Sequence, residues 1–219
     1  MLVATIVNNN YSGFAPLFEY GVKKKYPDWE CQVFTLEDSG PKIAAKRFTF
    51  TPAEYKSHDY ILITDIDILF GNEDVIKMRV DFMDKNRLKC YSNSPIDNKN
   101  TFPGVHFVTP DWYAKTYYWR RFYDDYINQR ELKKGDDERI LGDIIYKSSL
   151  KMCTPSGQMS HHGFHLGCLR DRIYNQTNLP DAPVIQEYLN DKEFMRIVDN
   201  SKCPLVNSIF TKLKTIFNT

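Results

Sequence analysis

Long apolar runs are missing from this chain of 219 residues. None approaches the ~20 residues that a membrane-spanning helix needs, so no transmembrane segment is predicted. The opening residues, MLVATIVNNN, lack a basic leader and carry too short an apolar stretch for a signal peptide; they read as a strand starting at Leu2. An excess of either charge is also missing, with 29 Lys and Arg against 28 Asp and Glu and a net charge of +1. That excludes a basic field over the whole molecule, so no nucleic-acid partner is expected. Cysteine is scarce. The five present (Cys31, Cys90, Cys153, Cys168, Cys203) lie far apart, and their odd number argues against a disulfide framework. No C-x-x-C pair suggests zinc. Reduced thiols and a cytoplasmic setting are the expectation. Repeats and low-complexity stretches are absent too.

What is present is an ordinary globular composition, with 42% hydrophobic, 14% aromatic and 26% charged residues. A core of useful size can form, and disordered, collagen-like and coiled-coil chains are excluded. Leu2 to Val7 is an apolar run followed at once by a turn, NNNYSG. Phe14 to Lys25 reads as a helix with Phe14, Leu17, Phe18, Gly21 and Val22 on one face, stopped at Pro27 and Asp28. Cys31 to Leu36 is the next strand, and residues 42–57 read as loop and short helices. Tyr60 to Thr64 is the most hydrophobic strand. Lys89 to Asn93 and Gly104 to Thr109 are two more strands, and Trp112 to Gln129 and Asp136 to Lys147 are helices. From Ala182 onward the chain reads as helical but weakly patterned. This alternation predicts an α/β fold with a mostly parallel central sheet flanked by helices. One domain is expected over 1–219: a nucleotide-binding half over about 1–70, an acceptor and sugar half over about 71–180, and a helical segment over 181–219. A fragment of a longer chain is an alternative reading.

The sharpest feature is Asp65-Ile66-Asp67 directly after the Tyr60–Thr64 strand. Open α/β sheets bind ligands at the carboxyl ends of their strands. Two carboxylates at i and i+2 repel one another unless something neutralises them. A hard divalent cation such as Mn²⁺ or Mg²⁺ does so, and can also hold a diphosphate. The alternative is a solvated acidic turn. A second feature is SHHGFHLG, which gathers His161, His162 and His165. A neutral imidazole is a common third ligand beside carboxylates, and the sequence does not choose among the three.

The stretch EYKSHDYILITDIDILFGNED resembles the D-x-D segment of glycosyltransferases of the GT-A fold, above all the family of glycogenin and the bacterial retaining galactosyltransferases. Asp59, Asp65, Asp67, Ile68, Leu69 and Gly71 fit that pattern. The resemblance implies a GT-A-like domain in which Asp65 and Asp67 bind Mn²⁺ together with a nucleotide-sugar diphosphate. It places Thr5, Asn8 and Tyr11 on the nucleotide, Lys46 or Arg47 on phosphate or ribose, and Asp65 and Ile66 on the donor side. Phe102 to Trp112 resembles the strand lining the family's sugar pocket. GDDERIL resembles its Asp-Gln helix start, with Asp137 on the Asp and Glu138 in place of the Gln. A simple capping role for these carboxylates is the competing reading. The family's metal-binding histidine lies late and beside a glycine, where the SHHGFHLG cluster stands, but the usual Lys-Pro-Trp after it is missing. Arg170 or Arg172 would have to replace that lysine.

The function implied is transfer of a hexose from a UDP-sugar to a glycan or glycoprotein, with retention of configuration. NNNYSGF, TDIDILFGNED and SHHGFHLG together also resemble the first domain of chlorovirus proteins that glycosylate the viral capsid, which implies work on a viral glycan in host cytoplasm. Three alternatives compete. A haloacid-dehalogenase-type phosphohydrolase also has D-x-D after an apolar strand and a later G-D-D. It prefers Thr or Val where Leu69 stands, and its nucleophile strand usually opens the domain. A nucleotidyltransferase would need a glycine-rich first loop, which NNNYSGF is not. A non-catalytic carbohydrate-binding domain that kept the fold is the last.

Overall fold

The computed structural model describes residues 1–37, 40–71, 73–92, 105–151, 163–171, 179 and 181–218. Its centre is a five-stranded sheet in the order β2-β1-β3-β6-β5. The strands are β1 (Leu2–Asn8), β2 (Glu30–Leu36), β3 (Ile61–Thr64), β5 (Cys90–Ser92) and β6 (Val105–Val108). β1 runs parallel to β2 and β3, while β6 is antiparallel to both β3 and β5. Four strands therefore share one direction and β6 opposes them. The expected α/β sheet is present, with one reversed strand inside it.

The sheet is covered on both faces, and strand alternation sorts the residues between two cores. Val3, Val7 and Leu62 join the core under helix α1 (Ala15–Lys25). Leu2, Ala4, Ile61 and Ile63 join the core under α2 (Pro41–Lys46), α4 (Pro110–Gln129) and α5 (Asp136–Lys147). All seven residues of β1 are buried, which is why the strand reads as a continuous apolar run rather than an alternating one. In α1, Leu17, Phe18, Gly21 and Val22 are the buried set. Pro16 stands in its first turn, and Lys23, Lys24 and Lys25 in its last turn complement the helix dipole.

A second, two-stranded sheet pairs β4 (Ile68–Phe70) antiparallel with β7 (Gly163–His165). Neither strand stands out in the sequence, nor does α3 (Glu73–Lys85). A four-residue helix, α6 (Cys168–Asp171), follows β7. The segment after 181 forms α7 (Ala182–Leu189), α8 (Lys192–Asp199) and α9 (Pro204–Phe217). These extend the core under α1, with Ile185, Tyr188, Phe194, Val198, Val206, Ile209, Phe210 and Leu213 all buried. Polar contacts register them. Tyr20 Oη donates to Asp191 Oδ2 at 2.8 Å, Lys25 Nζ to Glu187 Oε2 at 2.6 Å, and Lys24 also pairs with Asp191. Tyr188 Oη donates to the Phe70 carbonyl at 3.0 Å, tying α7 to β4. Among the described residues no helix is long and apolar enough to cross a membrane.

Candidate active site

Three pieces of chain meet at the carboxyl end of β3. The first is the D-x-D turn between β3 and β4. The second is β7, whose register sets His165 opposite Ile68, and the Leu166 amide extends the pairing by donating to the Asp67 carbonyl at 2.8 Å. His165 Nε2 then lies 3.0 Å from Asp67 Oδ1 and 3.6 Å from Asp65 Oδ2. The third is the segment after α2, which carries Arg47. Arg47 Nη1 pairs with Asp65 Oδ1, and Nη2 stands 3.5 Å from Asp137 Oδ2 at the start of α5.

The Arg47 segment is clamped from behind by Arg120 of α4. Its Nη1 donates to the Thr49 and Phe50 carbonyls, each at 2.9 Å, and to Thr51 Oγ1 at 2.8 Å. Asp124 accepts from Thr49 Oγ1 at 3.0 Å. Such fully engaged, buried guanidinium groups fix backbone that has no regular ladder of its own. At the start of α5, Gly135 adopts φ 90°, a left-handed conformation that glycine reaches without a steric penalty. This turn presents Asp136, Asp137 and Glu138 in the helix's first turn, where carboxylates are favoured. Asp136 accepts from the Lys133 amide at 2.8 Å, in the chain before the helix, and no side chain caps the start of α5. Asp137 instead is buried against Arg47.

The electrostatics follow from this packing. Burial raises the Asp65 carboxyl above its ordinary range, with Asp67 and Asp137 adding to the rise and Arg47 and His165 opposing it. Burial also works to raise Asp67, but the charge and hydrogen bond of His165 outweigh it and hold that carboxyl low. Conversely, burial would lower His165, and Asp67 lifts it well above its ordinary value. Glu138 is pushed up to about 7 by burial and by Asp137 beside it. The other imidazole nitrogen, His165 Nδ1, stands 3.7 Å from Cys168 Sγ. That contact leaves Nε2 to face the carboxylates. Cys168 was not singled out in the sequence. Its spacing of three residues across the Leu166-Gly167 turn is the signal that would have found it.

The structure thus brings together Asp65, Asp67, Arg47, Asp137 and His165. His161 and His162, expected as alternative metal ligands, lie outside the described residues, as do Arg172 and the first three residues (102–104) of the expected sugar-pocket segment Phe102 to Trp112. The remaining expected residues stand farther back. Thr5 is fully buried, and its hydroxyl donates to the Thr64 carbonyl at 2.8 Å, inside the sheet. Asn8 ends β1 and accepts from the Tyr11 amide through Oδ1 at 3.1 Å, shaping the loop rather than facing out of it. Tyr11 stacks on Phe14 with ring centroids 5.8 Å apart. That loop does emerge at the same sheet edge as the D-x-D turn, because β1 and β3 are parallel neighbours. Ile66 is only 6% exposed and belongs to the core, so its backbone is what it offers a ligand. Lys46 closes α2, half-buried.

Two carboxylates and an imidazole nitrogen within this span form a donor set suited to a first-row divalent cation. Among the described residues no three such side chains are spaced as ligands; Asp65 pairs with Arg47, and Asp67 with His165. A cleft of about 530 Å³ lies elsewhere, at the amino end of β3, lined by Lys56, His58, Tyr60, Asp84 and Asp111 among others. It gathers no comparable constellation, so the chemistry rather than the cleft locates the site.

No protein-family model matches the chain, and no curated protein sequence matches it. Among solved structures, the glycosyltransferase GlyE of Streptococcus pneumoniae TIGR4 aligns with a TM-score of 0.44 and 11% identity, covering 69% of this chain and 44% of that one. The galactosyltransferase LgtC, solved with donor and acceptor sugar analogs, aligns at 0.38 and 13% identity over 70% of this chain and 73% of its own. A glycosyltransferase involved in glycosylation of the major capsid of PBCV-1 aligns at 0.41 and 12% identity, over 67% and 74% of the two chains. The present chain therefore spans less than half of the GlyE chain. All three of these proteins are glycosyltransferases.

Proposed function

We propose that this chain is a metal-dependent glycosyltransferase that moves a hexose from a UDP-sugar to a glycan or glycoprotein. The observation that carries the reading is the meeting of Asp65, Asp67 and His165 with Arg47 and Asp137 at the carboxyl end of β3. Asp65, Asp67 and His165 would hold Mn²⁺, or Mg²⁺ in its place. When bound, that ion would supply charge neutralisation for the departing diphosphate. Arg47 has the charge and the forked donors to pair with a phosphate. The loop from Asn8 to Tyr11 stands at the right sheet edge for the nucleotide. Asp137 accepts hydrogen bonds from sugar or acceptor hydroxyls in this reading, and Glu138 stands near the reacting carbon. A carboxyl pushed up to about 7 exchanges its proton near neutral pH, which suits acid–base work on the acceptor hydroxyl. Transfer with retention, a viral capsid glycan as product and a cytoplasmic setting belong to the same proposal. The free thiols of Cys31, Cys90, Cys168 and Cys203 fit a reducing compartment.

The test is calorimetric titration of UDP, GDP, UDP-glucose and UDP-galactose, each with and without Mn²⁺. Binding of a UDP compound that disappears with chelator is the expected result. Failure of every nucleotide to bind with any metal would overturn the reading and turn attention to phosphatase substrates. Preference for GDP would keep the transferase and correct the donor.

A further inference from the structure

Arg47 does more in this structure than wait for a donor. Its guanidinium is engaged with two carboxylates from different elements, Asp65 and Asp137, and its side chain is only 8% exposed. Its Cζ lies over the Phe48 ring at 4.8 Å, which fixes the plane of the group. Three carboxylates (Asp65, Asp67, Asp137) thus face two basic groups, Arg47 and His165. His165 serves Asp67, and Arg47 serves Asp65. One donor is left over: the buried Arg47 Nε has no hydrogen-bond acceptor among the described residues. A buried N–H without an acceptor is costly, so this arrangement leaves Arg47 incompletely satisfied.

We propose that Arg47 is the resident counter-ion of Asp65, competing with the divalent cation for that carboxylate and released to the donor diphosphate when metal and nucleotide enter together. The proposal rests on the donor-site reading above. Its logic is electrostatic. A cation drawing on Asp65 shares a carboxylate whose Oδ1 is held by Arg47, and meets the guanidinium's like charge at close range. Without a nucleotide, Arg47 has nowhere to place its charge except Asp65 and Asp137. A diphosphate supplies what the displaced guanidinium lacks: a strong anion with enough acceptors for Nε as well as the two Nη groups. The metal and the nucleotide then each bind weakly alone and tightly together, and the coupling is reciprocal. Asp65 acts as a carboxylate with two alternative partners, and the diphosphate decides between them.

The experiment measures Mn²⁺ binding to the full chain by electron paramagnetic resonance of the free ion, with and without UDP. It uses wild type, Arg47→Met and Arg47→Lys. Wild type is expected to bind Mn²⁺ at least about tenfold tighter with UDP than without it. Arg47→Met is expected to bind Mn²⁺ alone about tenfold tighter than wild type, and UDP with Mn²⁺ about tenfold more weakly. Arg47→Lys keeps the charge and is expected to stay near wild type for Mn²⁺ alone. Equal or weaker Mn²⁺ binding by a folded Arg47→Met overturns the proposal while leaving the donor site standing. Wild-type Mn²⁺ binding indifferent to UDP overturns it without any variant. Failure of wild type to bind Mn²⁺ or UDP in any combination instead overturns the donor-site reading itself.

Discussion

His165 Nε2 lies 3.0 Å from Asp67 Oδ1, although the two residues belong to distant parts of the chain. The short β4–β7 ladder produces that contact, since it sets His165 opposite the residue that follows Asp67. This contact is therefore set by strand pairing, whereas Arg47 comes from a segment held by Arg120, and the parts of the site are expected to respond separately to mutation.

Asp67→Ala is expected to remove Mn²⁺-dependent UDP binding while the fold survives. Loss of a group that only supports a metal ligand already costs about 10–100-fold, so loss of a ligand is expected to cost at least about a hundredfold. Circular dichroism would report the fold and calorimetry the binding. Retained metal-dependent affinity would mean that the assignment of Asp67 is wrong.

Gly163→Ala and Gly71→Ala are expected to differ sharply. A Cβ on Gly163 would stand 2.1 Å from the Leu69 carbonyl oxygen and 3.0 Å from Phe70 Cα, all backbone of the paired strand. A Cβ on Gly71 would stand 2.7 Å from Val184 Cγ2, a side-chain atom that can move. We expect a loss of about 3 kcal/mol for the first and about 1 kcal/mol for the second. Only the first should also cost Mn²⁺ affinity, because it displaces β7 and with it His165. Urea unfolding and metal titration of both variants would check this.

Asp191→Ala is expected to loosen the C-terminal helices by about 2 kcal/mol. Asp191 caps α8 by accepting from the Glu193 and Phe194 amides, and it also receives Tyr20 and Lys24. Burial works to raise its carboxyl, but these hydrogen bonds and the Lys24 charge outweigh it and hold the group down at about 2. Its folded value is depressed, so its contribution is fully present above the ordinary value near 3.8 and lost as pH falls through about 2. The gap in stability between wild type and variant should be wide at pH 7 and close towards pH 2.

His106 on β6 gives a different pH signature. It is fully buried between Phe48 and Trp112, and neither ring nitrogen has a partner among the described residues. Burial, helped by the nearby Arg47 charge, pushes it down to about 3. The unfolded chain therefore binds the proton first, and the His106 contribution is lost as pH falls from its ordinary value of 6.5 towards 3. The slope is at most about 1.4 kcal/mol per pH unit. Glu138 and His165, both raised, act in the opposite sense in part of this window. The expected result is therefore a difference: His106→Leu loses less stability than wild type between pH 6.5 and 5 in parallel denaturant titrations. Identical pH dependence in the two would exclude the effect.

Much of this arrangement is legible in the chain itself. β1, β2, β3 and α1 read directly because each is a buried element with its own apolar period and a clear stop. Asp136 to Lys147 is a helix with those same bounds. The regularity of α9 was also available, since Val206, Ile209, Phe210, Leu213 and Phe217 recur at helical spacing. What the sequence hides is pairing between distant short segments. Ile68–Phe70 and Gly163–His165 are three residues each, too short for any period to show. The seating of His165 beside Asp67 follows from that register. So does the reversal of β6, which local pattern does not encode.

The contact between Gly13 and Cys203 has a practical consequence. A Cβ on Gly13 would stand 2.2 Å from Cys203 Cβ, and Cys203 Sγ reaches the Asn10 carbonyl at 3.6 Å, so the entry to α9 is seated on the loop after β1. Farther along the same helix, Lys212 Nζ donates to the Leu169 carbonyl at 3.3 Å, just past the strand that carries His165. One helix thus grips both sides of the site from behind. A chain divided between Leu179 and Asp181 would yield two pieces with matching oily surfaces and opposite charges, Lys24 and Lys25 on one and Glu187 and Asp191 on the other. Co-expressed, such halves form a natural starting point for a split reporter whose signal is nucleotide capture.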